Sequence, residues 1–180
     1  TTIYDIQENF ANYNGEPVIV SGVVTIGDGL LFPGYTKFYV QDNSERGIQI
    51  FSSVLPVTYN RGDFIQVSGT VDSYETDVEI TYPTITLLGE DYVLPEAHTI
   101  TGSEETTMNG TWSSVAGVLS DYWHYESETT EFTALTITTS GGAEIQTMFW
   151  NSSVPWEELV EFEDMIGEEL SISGVITFYN

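Results

Sequence analysis

The chain has 180 residues, no cysteine, 28 Asp and Glu against three Lys and Arg, and a formal net charge of −25. Disulfide and thiolate chemistry are excluded, and a field of that sign repels phosphate backbones and anionic membranes. Hydrophobic residues make up 41% and aromatic ones 13%, which suffices for one large or two small packed domains and argues against disorder.

No apolar run approaches the ~20 residues of a membrane-spanning helix, and the first residues do not have the pattern of a signal peptide. Abundant Thr, Ser, Tyr and Asn with almost no Lys favour an extracellular or cell-surface protein in its mature form. Asn109-Gly-Thr and Asn151-Ser-Ser match the N-glycosylation pattern.

From Thr1 to Ile6 β-formers dominate, and Glu8 to Tyr13 can make a short helical turn before Asn14-Gly15. Val18 to Ile26 is a strand with Gly22 at its centre, and Gly27 to Pro33-Gly34 breaks the chain. Thr36 to Gln41 and Gly47 to Phe51 form two strands joined by Asp42 to Arg46. Asn60 to Asp63 turns into Phe64 to Tyr74, and Glu75-Thr76-Asp77 turns into Val78 to Leu88.

The order then begins again. Val115-Ala-Gly-Val-Leu119 matches Val20-Ser-Gly-Val-Val24, Glu131 to Thr138 and Ala143 to Trp150 make the next hairpin, and Ile172-Ser-Gly-Val-Ile176 matches Val67-Ser-Gly-Thr-Val71. The second copy carries an insertion: Pro155 starts a helix with Trp156, Leu159, Val160, Phe162 and Ile166 near helical spacing, and Gly167 closes it. The fold class expected is all-β: two tandem OB-fold-like five-stranded Greek-key barrels, over residues 1–93 and 94–180. The second has a short helix between its third and fourth strands and an incomplete fifth strand. Gly22, Gly69, Gly117 and Gly174 mark sharp bends in the strands.

Thr2-Ile3-Tyr4-Asp5-Ile6-Gln7, Val18 to Val24, Phe38-Tyr-Val-Gln-Asp42, Gly62 to Gly69 and Leu94-Pro95 resemble the OB-like domains of secreted bacterial nucleases and surface proteins. The tandem arrangement also looks like filament-forming secreted proteins of bacteria or archaea built from paired OB domains. That resemblance implies assembly by strand donation and calcium binding. In nucleases of the first group the catalytic centre lies in a separate domain, and no part of this chain matches one.

Three acidic segments offer oxygen ligands of the kind calcium takes. They contain Asp42, Asn43 and Glu45; Asp72, Glu75 and Asp77; and, in an expected loop from Asp121 to Glu131, Asp121, Glu126 and Glu128. None has EF-hand spacing, and an ordinary acidic loop is the plain alternative for each. Tyr122, Trp123, Tyr125, Trp150 and Trp156 suit stacking on sugars or bases, or packing in a core or subunit contact. With only Lys37, Arg46 and Arg61 as cations, nucleic acid is an unlikely partner and carbohydrate stays open. Glu157-Glu158 and Glu161-Glu163 fit the solvated face of an acidic helix better than a hydrolase pair. No nucleophile, base and orienter set is present, so no enzymatic activity is expected.

The fourth strand of the second copy is expected to run to Phe178-Tyr179-Asn180 with no fifth strand behind it. Its acceptor positions are Leu170, Ile172, Val175, Ile176 and Phe178. The expected donor is the β-prone N-terminal segment Thr1, Thr2, Ile3, Tyr4, Asp5 and Ile6 of another copy, which gives a head-to-tail homopolymer: a secreted filament subunit. An accessory binding module of a secreted nuclease or other hydrolase is the alternative.

Overall fold

A computed structural model describes residues 1–31, 34–54 and 58–178. The break expected at Pro33 and the strand end expected at Tyr179-Asn180 therefore lie outside the described residues. The fold is mostly β and forms two compact units. The first comprises 1–98, 105–113 and 174–180, and the second 99–104 and 114–173, so the chain passes between them repeatedly and not once near Leu94-Pro95.

The N-terminus departs from the sequence reading. Instead of an extended donor, residues Ile3–Glu8 form helix α1, and Phe10–Tyr13 form α2. Local capping overrides β-propensity here. The Thr2 hydroxyl accepts from Asp5 N at 3.1 Å and donates to the Asp5 carboxylate at 2.7 Å. From across the fold, Asp42 Oδ2 accepts from Ile3 N at 2.8 Å and Ser44 Oγ from Tyr4 N at 3.0 Å. Ile3, Ile6, Phe10 and Tyr13 share one helical face; the two isoleucines are fully buried in the core and the two rings pack against it.

That core belongs to a closed barrel of β1 (Pro17–Ile26), β2 (Thr36–Gln41), β3 (Gly47–Ser52), β4 (Phe64–Tyr74) and β5 (Asp77–Gly89), in the order β1-β2-β3-β5-β4. β3 and β5 pair in parallel with Ile50 opposite Ile80, and the other neighbours are antiparallel. Alternation turns Val20, Phe38, Ile48, Ile50, Val67 and Ile80 inward.

In the second unit, β7 (Trp112–Glu126), β8 (Glu131–Thr138), β9 (Glu144–Trp150) and β10 (Glu169–Val175) form an open sheet in the order β10-β7-β8-β9, with β6 (His98–Thr99) also pairing to β7. The expected insertion is present as α3 (Trp156–Leu159) followed by 3-10 turns over Val160–Met165. Trp156 N donates to Asn151 Oδ1 at 2.8 Å, which holds the helix start against the end of β9.

The repeat extends to individual hydrogen bonds. Gly15 N donates to Val71 O and Val71 N to Glu16 O at 2.9 and 3.0 Å; Gly110 N donates to Ile176 O and Ile176 N to Thr111 O at 2.8 and 3.0 Å. Gly62 with Val24 and Gly167 with Leu119 form a second matching set, through the N–H groups of the glycines and the carbonyls of Val24 and Leu119. Gly22 and Gly117 match as well, because a Cβ on either runs into the carbonyl of the neighbouring strand, at Gln41 and Thr138. Gly174 does not follow this pattern: a Cβ there meets open space, so no close approach requires glycine.

Two further expectations change. The segment from Asp121 is not a loop; β7 continues to Glu126 and turns only at Ser127 to Thr130, where Ser127 N donates to Thr130 O at 2.8 Å. β10 ends at Val175 and does not continue to Phe178.

Candidate functional site

The acidic positions singled out for calcium are placed apart and in part already occupied. Asp42 spends both carboxylate oxygens within the fold, on Ile3 N and on the backbone and hydroxyl of Ser44. Glu45 and Glu75 sit in tight turns with φ of 62° and 54°, and Asn43 lies in the same turn as Glu45. Asp121 and Glu126 are both on β7, and five residues of extended chain put them ~17 Å apart, beyond sharing one ion. Glu128 is in the turn beyond. Among the described residues, no three His, Asp or Glu side chains converge as a metal site.

Asp72 and Asp77 belong to a carboxylate group on the outside of the first barrel. Asp72 faces Glu79 across β4 and β5. Glu79 is buried and accepts from the Gln49 amide, whose oxygen accepts from the Tyr39 hydroxyl at 3.0 Å. Burial pushes the Glu79 and Asp77 carboxyls above their ordinary values, against the opposing pull of hydrogen bonds from Gln49 and Asn109 and of the Lys37 charge. Asn109 itself is 2% exposed and donates to Thr76 O at 2.9 Å, so in the folded chain it is closed to glycosylation. This polar layer on the barrel's outer face, formed by outward residues of β2, β3, β4 and β5, was missed from sequence. Its signal was Gln41, Gln49 and Glu79 at the outward positions of strands whose inward positions are apolar.

The three cations are all engaged. Arg46 pairs with Glu8 at 3.4 Å, Arg61 lies 4.4 Å over the Trp112 ring, and Lys37 faces the Asp77–Glu79 group. All three belong to the first unit, and the second unit, which carries Tyr122, Trp123, Tyr125, Trp150 and Trp156, contains no Lys or Arg.

In the second unit, β9 and β10 stand at the ends of the strand path, whereas their counterparts β3 and β4 are joined through β5. Between them lies an apolar cluster of Val115, Leu119, Leu135 and Ile137. The predicted acceptor residues divide. Leu170 and Ile172 pack against the cluster from β10, and Val175 is the last residue of that strand. Ile176 is bonded through its backbone to Gly110 and Thr111, and Phe178 O accepts from the Thr76 hydroxyl, so both lie past the strand and in the first unit.

No family model and no curated protein matches the chain.

The aromatic residues fall into two groups set by strand alternation. Tyr122 and His124 point inward with Trp156, whose indole N–H donates to the Tyr122 hydroxyl at 3.0 Å and whose ring centre is 5.2 Å from that of His124. His124 is also hydrogen-bonded to Thr133 at 3.1 Å and sits 3.8 Å from Glu131. Trp123, Tyr125 and Trp150 point outward and meet at Phe132, with ring centres 5.2, 5.2 and 5.6 Å from it. Trp123 is 47% and Tyr125 40% exposed.

Proposed function

We propose that this chain is a non-enzymatic structural subunit that works outside the cell and whose open half-barrel accepts a β-strand from a neighbouring subunit. The observation that carries the reading is the pair of strand ends β9 and β10 flanking an apolar cluster, in a repeat whose other copy fills the same place with β5. An unpaired edge carries a row of free N–H and C=O groups and is a template for another strand. The order β1-β2-β3-β5-β4 and the parallel β3/β5 pair support reading both units as OB-type barrels, the second without a counterpart of β5 among the described residues.

By the repeat, the incoming strand runs parallel to β9 and antiparallel to β10, with an apolar side chain near Thr147, the counterpart of Ile50. Acceptance of a strand by one end of each subunit is a heterologous contact, and heterologous contacts that do not close produce filaments. Burial of Ile3 and Ile6 in the barrel core favours a donor other than the N-terminal segment, because extracting that segment would uncover both. Calcium enters as a counter-ion that relieves the self-repulsion of a chain with net charge −25, not as a chelate in a loop.

The test is to place a charge on the free edge. Thr147→Lys gives up the bond from its hydroxyl to Leu135 O, so circular dichroism checks the fold, and it should abolish concentration-dependent assembly seen by sedimentation and negative-stain microscopy. Filaments that persist unchanged in the variant contradict strand acceptance at β9.

A further inference from the structure

We propose that the outer face of β7, β8 and β9 is a binding platform for a neutral polysaccharide, independent of strand acceptance at the sheet edges. Register and alternation fix what this face presents. Tyr125, Phe132 and Trp150 are cross-strand partners in one row, and Trp123, Ala134 and Met148 form the next. Asp121, Thr136 and Gln146 form a third. Neighbouring rows on one face are two residues apart, about 7 Å, so the exposed Trp123 ring lies directly between the Phe132-centred rings and a row of hydroxyl, carboxylate and amide groups.

That combination has a chemical preference. Flat rings stack on the apolar faces of sugar rings, while a carboxylate, an amide and a hydroxyl exchange hydrogen bonds with vicinal sugar hydroxyls. Ala134 is 3% exposed between these rows, so the rings and the polar side chains adjoin over a small residue instead of being separated by a bulky one. The charge pattern narrows the ligand. Lys37, Arg46 and Arg61 all belong to the first unit, so the platform has no Lys or Arg to receive sulfates, phosphates or uronates, and Asp121 repels them.

The experiment is affinity electrophoresis through native gels containing hydroxyethylcellulose, xylan, galactomannan or laminarin, with alginate as the anionic control. Retardation by at least one neutral polysaccharide is expected, lost in Trp123→Ala and weakened at least tenfold in Asp121→Ala. Asp121 is exposed, so Asp121→Ala keeps the fold where Trp123→Ala costs stability, and circular dichroism checks both. Thr147→Lys should be retarded like the parent, which separates this platform from the strand-accepting edge. Mobility unchanged by all four neutral polysaccharides, retardation by alginate alone, or retardation that survives Asp121→Ala at full strength overturns the proposal.

Discussion

Asp42 Oδ2 accepts a hydrogen bond from the backbone N–H of Ile3 at 2.8 Å, so a turn of the β2–β3 hairpin caps the first helix of the chain. The other oxygen of the same carboxylate holds Ser44, whose hydroxyl in turn receives Tyr4 N. An acidic turn that looks in sequence like a cation ligand thus satisfies first-turn N–H groups of α1 beside the Thr2 N-cap. Replacing Asp42 by Ala should cost about 1 kcal/mol of stability and make the first residues more sensitive to limited proteolysis. An unchanged melting curve would show that the cap contributes nothing.

Ile6 is fully buried in the barrel core, and truncating it leaves a cavity. Ile6→Ala should destabilise the protein by about 2–5 kcal/mol, read by urea unfolding. An N-terminus that serves as a free donor strand would tolerate that change with no loss in the isolated subunit.

Glu79 and Glu104 make opposite contributions with pH. Glu79 is raised by burial above its ordinary 4.5, so its ionisation in the fold costs stability; that cost is absent below 4.5 and appears as pH rises through the elevated folded value. Glu79→Gln keeps an oxygen for Gln49 and should raise the melting temperature at pH 7 by ~2–4 °C, as expected for about 1 kcal/mol, with the gain vanishing in acid. For Glu104, burial pushes up, but hydrogen bonds from Thr101 and Gly102 outweigh it and hold the carboxyl at about 2. Its stabilisation is present above 4.5 and is lost as pH falls towards 2, so Glu104→Gln should be most harmful at neutral pH. A Glu79→Gln gain independent of pH would contradict this account.

What was legible in the sequence was the repeat. Glycine-centred strand motifs, turn glycines and the insertion after the ninth strand follow from local chemistry and could be placed without coordinates. The N-terminal helix is also written there, in Thr2-x-x-Asp5 and in apolar residues at 3, 6, 10 and 13, but the β-propensity of its first six residues masks the helical period. Carboxylate roles were not legible. Asp42, Asp77 and Asp121 are alike in composition, and only tertiary placement makes one a cap, one a half-buried acid and one an exposed side chain on a strand.

Cation effects follow from the same placement. Because the acids are spread over the surface and do not converge among the described residues, calcium should raise the melting temperature smoothly, as a divalent screening ion does, with no saturation at a low stoichiometric ratio. Calorimetric titration checks this. A sharp one-site isotherm in the micromolar range would instead require a chelating loop.

Strand acceptance by the half-barrel is tested most directly by hydrogen exchange on the intact protein with a synthetic peptide carrying the β5 sequence, Asp77–Gly89, as the strand probe. The first barrel already holds its own β5, so the peptide should protect backbone amides of β9 and β10 and leave those of β3 and β4 unchanged. Protection confined to β9 and β10, and absent in Thr147→Lys, is the predicted result. Exchange in β9 and β10 that is the same with and without peptide, at concentrations where the peptide is monomeric, would contradict it.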